Sequence, residues 1–323
     1  KQKNVFLDLA HLSRETSYRL YLNFIRGFYD FSVYIDICVL KERSLISMDQ
    51  FGGIDMHDLV REMGQEICKQ QFISNPERPI RLWKHNDVYH FFINKKGSGT
   101  IQCMSLDMSK TKEITLQANA FRKMNAMKFL KFYKSDFSEP SKVYVSEGLD
   151  NLPAELRFFF WEDYPLPSVP LSFCAENLME LEMPHNQLQQ LWDTDQHFPN
   201  LGVMNLTASK HMIELPNLSQ APNMSMIYLD ECENLTQIYS SSSLNKLSHL
   251  SIRDCKGLRH INIGGNIKET SSGLVAVYNF LDFNNSLFHK LTVKLFVSNN
   301  GNIFSGFWVK LKSVFLSEIL SSD

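Results

Sequence analysis

A repeat with a constant period is the feature that most constrains how this sequence can fold. Four segments share the pattern Leu-x-x-Leu-x-Leu, with Met or Ile at some Leu positions, and they begin 23 residues apart at Leu178, Leu201, Met224 and Leu247. Less regular copies begin at Leu156, Met127 and Ile101. Such a period predicts a solenoid, in which stacked units each contribute one short strand to a shared core.

The period lies within the range of about 20–29 residues that is typical of leucine-rich repeats. In these repeats the strands run parallel and line the concave side of a curved array. Because neighbouring residues of a strand point to opposite faces, the middle apolar position of each unit should point into the core. We therefore predict one buried column of side chains made of Leu181, Met204, Ile227 and Leu250.

The residues between these apolar positions are predicted to face the concave side in two columns. The first column contains Phe158, Glu180, Val203, Met226 and His249, and the second contains Phe160, Glu182, Asn205, Tyr228 and Ser251. Phe158, Phe160, Met226 and Tyr228 give this face an unusual share of large apolar groups, which is typical of a protein-binding surface. The alternative is that the N-terminal module, or the tail after Gly264, folds against this face.

One position in each repeat carries a small side chain: Asn186, Ser209, Cys232 and Cys255. Such side chains can lie beneath a turn and bond its backbone. Because adjacent strands lie about 4.7–4.9 Å apart, a disulfide between the two cysteines is an alternative. We favour the structural role, since the position is explained without sulfur chemistry.

Composition and motifs argue against several classes of protein. The net charge is −2, and no run of apolar residues is long enough for a membrane span, so neither nucleic acid nor membrane is an expected partner. The six cysteines contain no CxxC pair, which argues against a zinc site and for a reducing compartment. No nucleophile-elbow, metalloprotease or dinucleotide motif occurs, so we expect neither catalysis nor a metal site.

The first 75 residues mix helical and extended patterns. Apolar residues recur at helical spacing over residues 17–26 and 35–43, and residues 44–56 indicate a hairpin with a turn at Gly52 and Gly53. Asp58 is placed to cap the helix that follows. This order suits a winged-helix fold. DNA binding is not favoured, because acidic residues offset the basic ones on the last helix.

Several short sequence motifs indicate a family more specifically than the repeat does. Ile54-Asp-Met-His-Asp-Leu-Val-Arg-Glu-Met-Gly-Gln-Glu-Ile67 resembles the Met-His-Asp motif of plant disease-resistance proteins that combine a Toll/interleukin-receptor domain, a nucleotide-binding domain and leucine-rich repeats. Arg78-Pro-Ile-Arg-Leu-Trp83, Gly148-Leu-Asp-Asn-Leu-Pro153 and Trp161-Glu-Asp-Tyr-Pro165 are similar to later parts of the same family. The resemblance runs from about residue 3 to residue 263. The chain begins without Met, so we expect it to be cut from a longer protein.

The resemblance implies an α+β organisation in four parts. These are a winged-helix-like end of the nucleotide-binding region (1–75), a helical connector (76–98), a leucine-rich-repeat array with a parallel concave sheet (99–263) and an atypical tail (264–323). In the tail, residues 292–303 could form one degenerate repeat. In the full-length parent, His57 is implied to reach the phosphates of ADP, and Asp58 belongs to the same site. The phosphate-binding loop motif does not occur in this sequence, so no cofactor is expected in this chain itself.

The family also implies a function and partners. The chain would act in plant innate immunity, recognising a pathogen effector or a guarded host protein and restraining an ADP/ATP switch in the adjoining nucleotide-binding domain. Its expected location is the cytoplasm, with the nucleus as a second compartment. One alternative is a substrate adaptor of a ubiquitin ligase, which would need an F-box-like module at the N-terminus. Another is a truncated decoy or regulator without signalling activity.

Overall fold

The structure is a computed structural model of the chain. It describes residues 2–11, 27–29, 33–48, 54–74, 80–94, 99–174, 176–192, 196–242, 244, 246–247, 249–263, 274–280, 291–299 and 302–310, with side chains described up to residue 259 except at residue 72. Across these residues, no helix has both the length and the apolar character needed to cross a membrane.

The described part of the N-terminal module contains three helices and an antiparallel two-stranded hairpin. Its elements are α1 (Gln2–His11), α2 (Val33–Glu42), β1 (Ser47–Met48), β2 (Ile54–Asp55) and α3 (Asp58–Ser74). Gly64 lets α3 approach α1 closely, because a Cβ atom there would lie 2.5 Å from the Cβ of Ala10. This arrangement confirms the winged-helix prediction. The helical pattern at 17–26 and the Gly-Gly turn lie outside the described residues.

A short strand and a helix connect the module to the repeats: β3 (Arg81–Leu82) and α4 (His85–Ile93). Strand β3 pairs in parallel with the first strand of the repeats. The concave sheet therefore begins inside the segment that the sequence predicted as a helical connector. Helix α4 buries Val88 and Phe91 in the core of the solenoid.

The concave sheet continues through parallel strands, one for each repeat. They are β4 (Cys103–Asp107), β6 (Phe129–Tyr133), β8 (Phe158–Trp161), β9 (Glu180–Glu182), β10 (Val203–Asn205), β11 (Met226–Tyr228) and β13 (His249–Ser251). Outer strands pair β5 (Ile114–Leu116) with β7 (Val143–Val145), and β12 (Gln237–Ser240) with β14 (His260–Ile263). A single-turn 3₁₀ helix spans Leu218–Gln220. The predicted leucine-rich-repeat solenoid is confirmed.

The predicted column of core side chains is fully buried. Its members, Leu181, Met204, Ile227 and Leu250, are each 0% exposed and lie opposite one another in the strand register. At the same strand position, the earlier repeats place Leu130 and Phe159. Two residues further along these strands, Phe132 and Trp161 meet edge to face, with ring centroids 4.7 Å apart. Aromatic rings therefore contribute to the core at this end of the array.

The four regular repeats and the one before them each turn away from the sheet through one residue with positive φ. These residues are Asp163, His185, Ala208, Glu231 and Asp254, with φ between 54° and 62°. The amide of Ala208 donates to the carbonyl oxygen of Asp230 at 2.7 Å, and the amide of Glu231 does the same to Arg253 at 2.7 Å. The left-handed conformation thus aims an N–H group at the next repeat, and this bond offsets the backbone strain.

The four small side chains form a buried polar ladder beneath these turns. The Asn186 amide donates to the Ser209 hydroxyl at 2.6 Å, and Ser209 donates to the Leu206 carbonyl at 2.5 Å. The Cys232 and Cys255 thiols donate to the carbonyl oxygens of Leu206 and Leu229 at 3.2 and 2.9 Å. Both cysteines are free thiols. This geometry supports the structural role over the disulfide.

The tail extends the concave sheet with antiparallel strands: β15 (Leu274–Phe280), β16 (Leu291–Asn299) and β17 (Asn302–Lys310). Strand β15 pairs antiparallel with β13, and β16 lies between β15 and β17. The segment considered as a degenerate repeat therefore continues the sheet without adding a parallel rung.

Candidate partner-binding face and nucleotide motif

The winged-helix module covers the first half of the concave face. Cys103, Phe129, Phe158 and Phe160 point from their strands into the hydrophobic core of the module, where they pack with residues of α1 and α2. Phe158 is 0% exposed and Phe160 is 5% exposed. The concave surface of these repeats is therefore an internal interface between the two parts of the chain.

Residues 27–29 lie directly against this surface. The ring of Phe28 stacks on the ring of Phe158 with centroids 6.2 Å apart. A Cβ atom on Gly27 would lie 2.7 Å from a ring carbon of Phe158 and 3.0 Å from the sulfur of Met179. The guanidinium of Arg157 donates to the Gly27 carbonyl oxygen. Only a residue without a side chain fits at position 27 without displacing these groups.

A buried polar cluster joins the module to the first strand of the solenoid. Arg81 on β3 donates to Asp8 on α1 from Nε and from Nη2, the latter 3.1 Å from Oδ2, and the Tyr29 hydroxyl donates to the same carboxylate. Burial alone would lower the pKa of Arg81, but the hydrogen bonds and charge of Asp8 raise it above its ordinary value. Burial, and then the charge of Asp8, raises the pKa of Tyr29. We call these three residues the Asp8 cluster.

His11 and Trp83 extend this interface beside the cluster. Their rings stack with centroids 5.0 Å apart, and the His11 Nδ1 atom lies 2.8 Å from the Leu7 carbonyl oxygen. Burial lowers the pKa of His11 to about 4, against the raising effect of the bond to Leu7 and with a further lowering effect of Arg81. The imidazole is therefore neutral at neutral pH and acts as a packing group.

Two glutamate side chains lie in the middle of the concave face. Glu180 is 2% exposed and Glu182 is half-buried. Burial raises the pKa of Glu182, while its hydrogen bond with Glu180 and the positive charge of Lys131 act in the opposite direction. Lys131 lies over the ring of Tyr133 at 4.9 Å. This region is more buried than the alternation of charged residues in the sequence predicts.

The far end of the concave face is half-buried and carries both aromatic and polar side chains. The Tyr228 ring lies 4.9 Å from the His249 ring, and its hydroxyl donates to the Met226 sulfur at 3.2 Å. Ser251 is buried and donates to Oδ1 of Asp230 at 2.5 Å, while Arg253 donates from Nε and Nη2 to Oδ2 of the same carboxylate. These hydrogen bonds lower the pKa of Asp230 although burial opposes the shift.

The ten predicted face residues do lie side by side in two registers across the sheet. Their exposure divides them. Phe158, Phe160, Glu180, Val203 and Ser251 are buried, whereas Glu182, Asn205, Met226, Tyr228 and His249 are half-buried. For the two phenylalanines, the alternative reading of the sequence describes the structure: the N-terminal module folds against them.

The Met-His-Asp segment leads from the hairpin into α3. Met56 is 2% exposed and anchors the segment, while His57 and Asp58 are exposed. The His57 carbonyl accepts the Arg61 amide at 3.0 Å, and its Nδ1 atom accepts the Leu59 amide at 3.3 Å. His57 therefore holds the N-cap position, and the prediction that Asp58 caps this helix is wrong by one residue.

Sequence reasoning did not identify the Asp8 cluster. One signal was available, because Asp8 interrupts the apolar run from Val5 to Ala10 and is itself only 1% exposed. A carboxylate in such a run needs a buried partner. Its partner, Arg81, lies 73 residues away in the sequence, and no local pattern connects the two. No group of three or more His, Cys, Asp or Glu that could hold a metal ion occurs among the described residues.

A winged-helix module docked on the concave side of a leucine-rich-repeat solenoid, with an exposed Met-His-Asp segment, defines a class of repeat proteins with a covered concave face. Comparisons make this assignment specific. The family described as "Disease resistance protein Roq1-like, winged-helix domain" matches residues 1–72. A winged helix thus stands where a ubiquitin-ligase adaptor would need its F-box-like module.

The relatives that match most of the chain are plant disease-resistance proteins. Disease resistance protein RML1B of Arabidopsis thaliana is 37% identical over 233 residues, which is 70% of this chain and 22% of that protein. Disease resistance protein RPP2A of the same plant is 34% identical over 80% of this chain and 20% of its own length. Disease resistance protein RPV1 of Vitis rotundifolia is 30% identical over 71% of this chain and 18% of its own length. The chain belongs to the plant disease-resistance proteins of the Toll/interleukin-receptor, nucleotide-binding, leucine-rich-repeat class, and spans about a fifth of the length of these relatives.

Proposed function

We propose that this chain is the junction between sensor and switch in a plant innate-immune receptor. In this role the repeats recognise a pathogen effector or a guarded host protein, and the winged-helix module carries the end of an ADP/ATP switch. The observation that carries the proposal is the burial of Phe129, Phe158 and Phe160 of the solenoid in the core of the winged-helix module.

This contact supports a restraint of the switch by the repeats. Separating the two parts would expose three phenylalanine rings of the solenoid, and burying one such side chain is worth about 1.5–3 kcal/mol. The closed arrangement, in which the winged-helix module lies on the solenoid, is thus the stable one when no ligand is present. A ligand can favour the open arrangement only by binding it more tightly than the closed one.

Ligand recognition is proposed for the five half-buried residues of the same face. Glu182, Asn205, Met226, Tyr228 and His249 combine a carboxylate, an amide and aromatic groups, which suits a protein partner with mixed surface chemistry. They lie on the same sheet as the covered phenylalanines. A partner bound here would therefore lie next to the winged-helix module and could compete with it for space.

The nucleotide is proposed to bind only in the full-length receptor. His57 and Asp58 lie at the exposed start of α3, where an imidazole can donate a charge-assisted hydrogen bond to a phosphate and the helix start favours negative charge. ADP or ATP would be held mainly by the nucleotide-binding domain. The six free thiols suit a receptor in the reducing cytoplasm, with the nucleus as a second compartment.

The experiment compares two pairs of substitutions on one face in a full-length receptor that carries this chain. Phe158→Ser with Phe160→Ser should raise cell death in leaf tissue without any elicitor, because the docked module loses its apolar support. The matched pair, Met226→Ser with Tyr228→Ser, should leave basal activity low and weaken the response to the ligand. No rise with the first pair at equal protein level would contradict the restraint.

A further inference from the structure

The Asp8 cluster differs in kind from the contacts around it. The neighbouring ring contacts are Phe28 on Phe158, His11 on Trp83, and Trp83 on Phe129 at 5.6 Å. The hydrogen bond from Arg157 to the Gly27 carbonyl oxygen is polar, but it joins no pair of opposite charges. In the cluster, the charged side chains of Asp8 and Arg81 are only 2% and 8% exposed. Apolar surfaces tolerate sliding, whereas a bidentate ion pair has one geometry. The cluster therefore fixes the position of the module on the solenoid.

The energetics of a buried ion pair give this contact the properties of a latch. Removing one partner leaves an uncompensated buried charge, which is strongly destabilising. Exposing both partners together to water returns their hydration, and replacing both by apolar groups of similar volume is often neutral. Partial loosening is thus costly, while complete opening recovers much of the loss. A contact of this kind favours two discrete positions over a continuum.

We propose that the Asp8 cluster is the latch that holds the winged-helix module in one position on the repeat solenoid. The cluster links three segments: α1, residues 27–29 and the first strand of the solenoid. Helix α1 in turn supports α3, which begins beside His57, through the contact of Ala10 with Gly64. The latch has a regulatory meaning only if the proposed receptor function holds, but its existence can be tested without receptor activity.

Hydrogen exchange followed by mass spectrometry on the 323-residue chain tests the latch. Arg81→Met should raise exchange at least tenfold in residues 2–11 and 101–107, on the two sides of the interface, and leave residues 226–232 unchanged. Asp8→Leu combined with Arg81→Met should return exchange to within threefold of the unsubstituted chain, because no lone charge remains. Arg253→Met is the control: it breaks an ion pair with Asp230 at the other end of the array, where the Arg253 side chain is 62% exposed. It should leave exchange in residues 2–11 and 101–107 unchanged.

Two results would overturn the latch. One is unchanged exchange at the interface in Arg81→Met, and the other is an equal rise in all segments, which would make the cluster a general stabiliser. If Arg81→Met does not fold, Tyr29→Phe removes a single hydrogen bond and should raise exchange about threefold in the same two segments only. A working latch in this chain, together with a full-length receptor whose basal activity does not rise with Phe158→Ser and Phe160→Ser, would count against the proposed function and not against the latch.

Discussion

Phe28 of the winged-helix module stacks on Phe158 of the solenoid, with their ring centroids 6.2 Å apart and their planes inclined by 24°. A side chain on the concave side of a repeat array normally meets solvent or a ligand. Here the ring of Phe158 is fully buried by the chain itself. The two parts of the molecule therefore share a hydrophobic core and should unfold together over this region.

Substitution of Phe158 tests this shared core. Phe158→Ala should lower the free energy of unfolding by about 3–5 kcal/mol, because it removes a fully buried ring. Tyr228→Ala, on the same face but half-buried, should cost clearly less. Urea unfolding monitored by circular dichroism measures both. A loss below about 1 kcal/mol for Phe158→Ala would mean that the ring is exposed in solution.

Ala208 offers a test of the strained turn. Its φ of 58° lies in the left-handed region, which glycine adopts without steric cost. Ala208→Gly relieves a left-handed backbone that costs a non-glycine residue about 1–2 kcal/mol, but it adds chain entropy to the unfolded state and removes a methyl group in a residue that is only 5% exposed. These effects should nearly cancel in the free energy of unfolding. Ala221→Gly is the control: its φ is −114° and its methyl group is fully buried, so it should destabilise without any such relief. Thermal unfolding compares the two, and an Ala208→Gly chain that is destabilised as much as Ala221→Gly contradicts the assigned conformation.

His11 should make the stability depend on pH. Its pKa falls from 6.5 in an unfolded chain to about 4 in the folded one, because burial disfavours the imidazolium. The unfolded state thus binds the proton first, and stability is lost as the pH falls from about 6.5 towards 4. His11→Phe keeps a ring against Trp83 and should flatten this part of the curve.

The measurement is the midpoint of urea unfolding between pH 7 and pH 4 for the two chains. His197→Gln, which alters an exposed histidine, is the control and should follow the unsubstituted chain. If His11→Phe loses stability over this interval as steeply as the unsubstituted chain, the imidazole is not buried against Trp83.

Asp58 tests the link to nucleotide. In a full-length receptor that carries this chain, Asp58→Val should raise cell death in leaf tissue without elicitor, because the Met-His-Asp segment is proposed to favour the ADP-bound state. Asp55→Val, an exposed carboxylate three residues earlier, is the control. Equal basal activity for Asp58→Val and the unsubstituted receptor, at equal protein level, would remove the inhibitory role of the motif.

The repeat could be predicted because each unit shows the same pattern of apolar residues within a short stretch of sequence. Leu181 and Leu250 lie in the buried column because every unit repeats the same alternation. The sequence could not show what covers Phe158. An apolar residue on a concave strand gives the same pattern whether a ligand or another part of the chain lies over it. Asp8 and Arg81 meet only through tertiary structure. The N-cap of α3 was misplaced because His57 is a less common cap than Asp.

Substitution of Gly27 tests the docking of the module on the solenoid most directly, because a Cβ atom there would lie 2.7 Å from a ring carbon of Phe158 and 3.0 Å from the Met179 sulfur. Gly202→Ala is the matched control, since a Cβ atom at that position would meet no atom closer than 3.6 Å. Hydrogen exchange of the folded 323-residue chain, followed by mass spectrometry, should rise in residues 2–11 and 101–107 with Gly27→Ala and stay unchanged there with Gly202→Ala. Unchanged exchange in these segments with Gly27→Ala, or an equal rise with both substitutions, would contradict the docked arrangement.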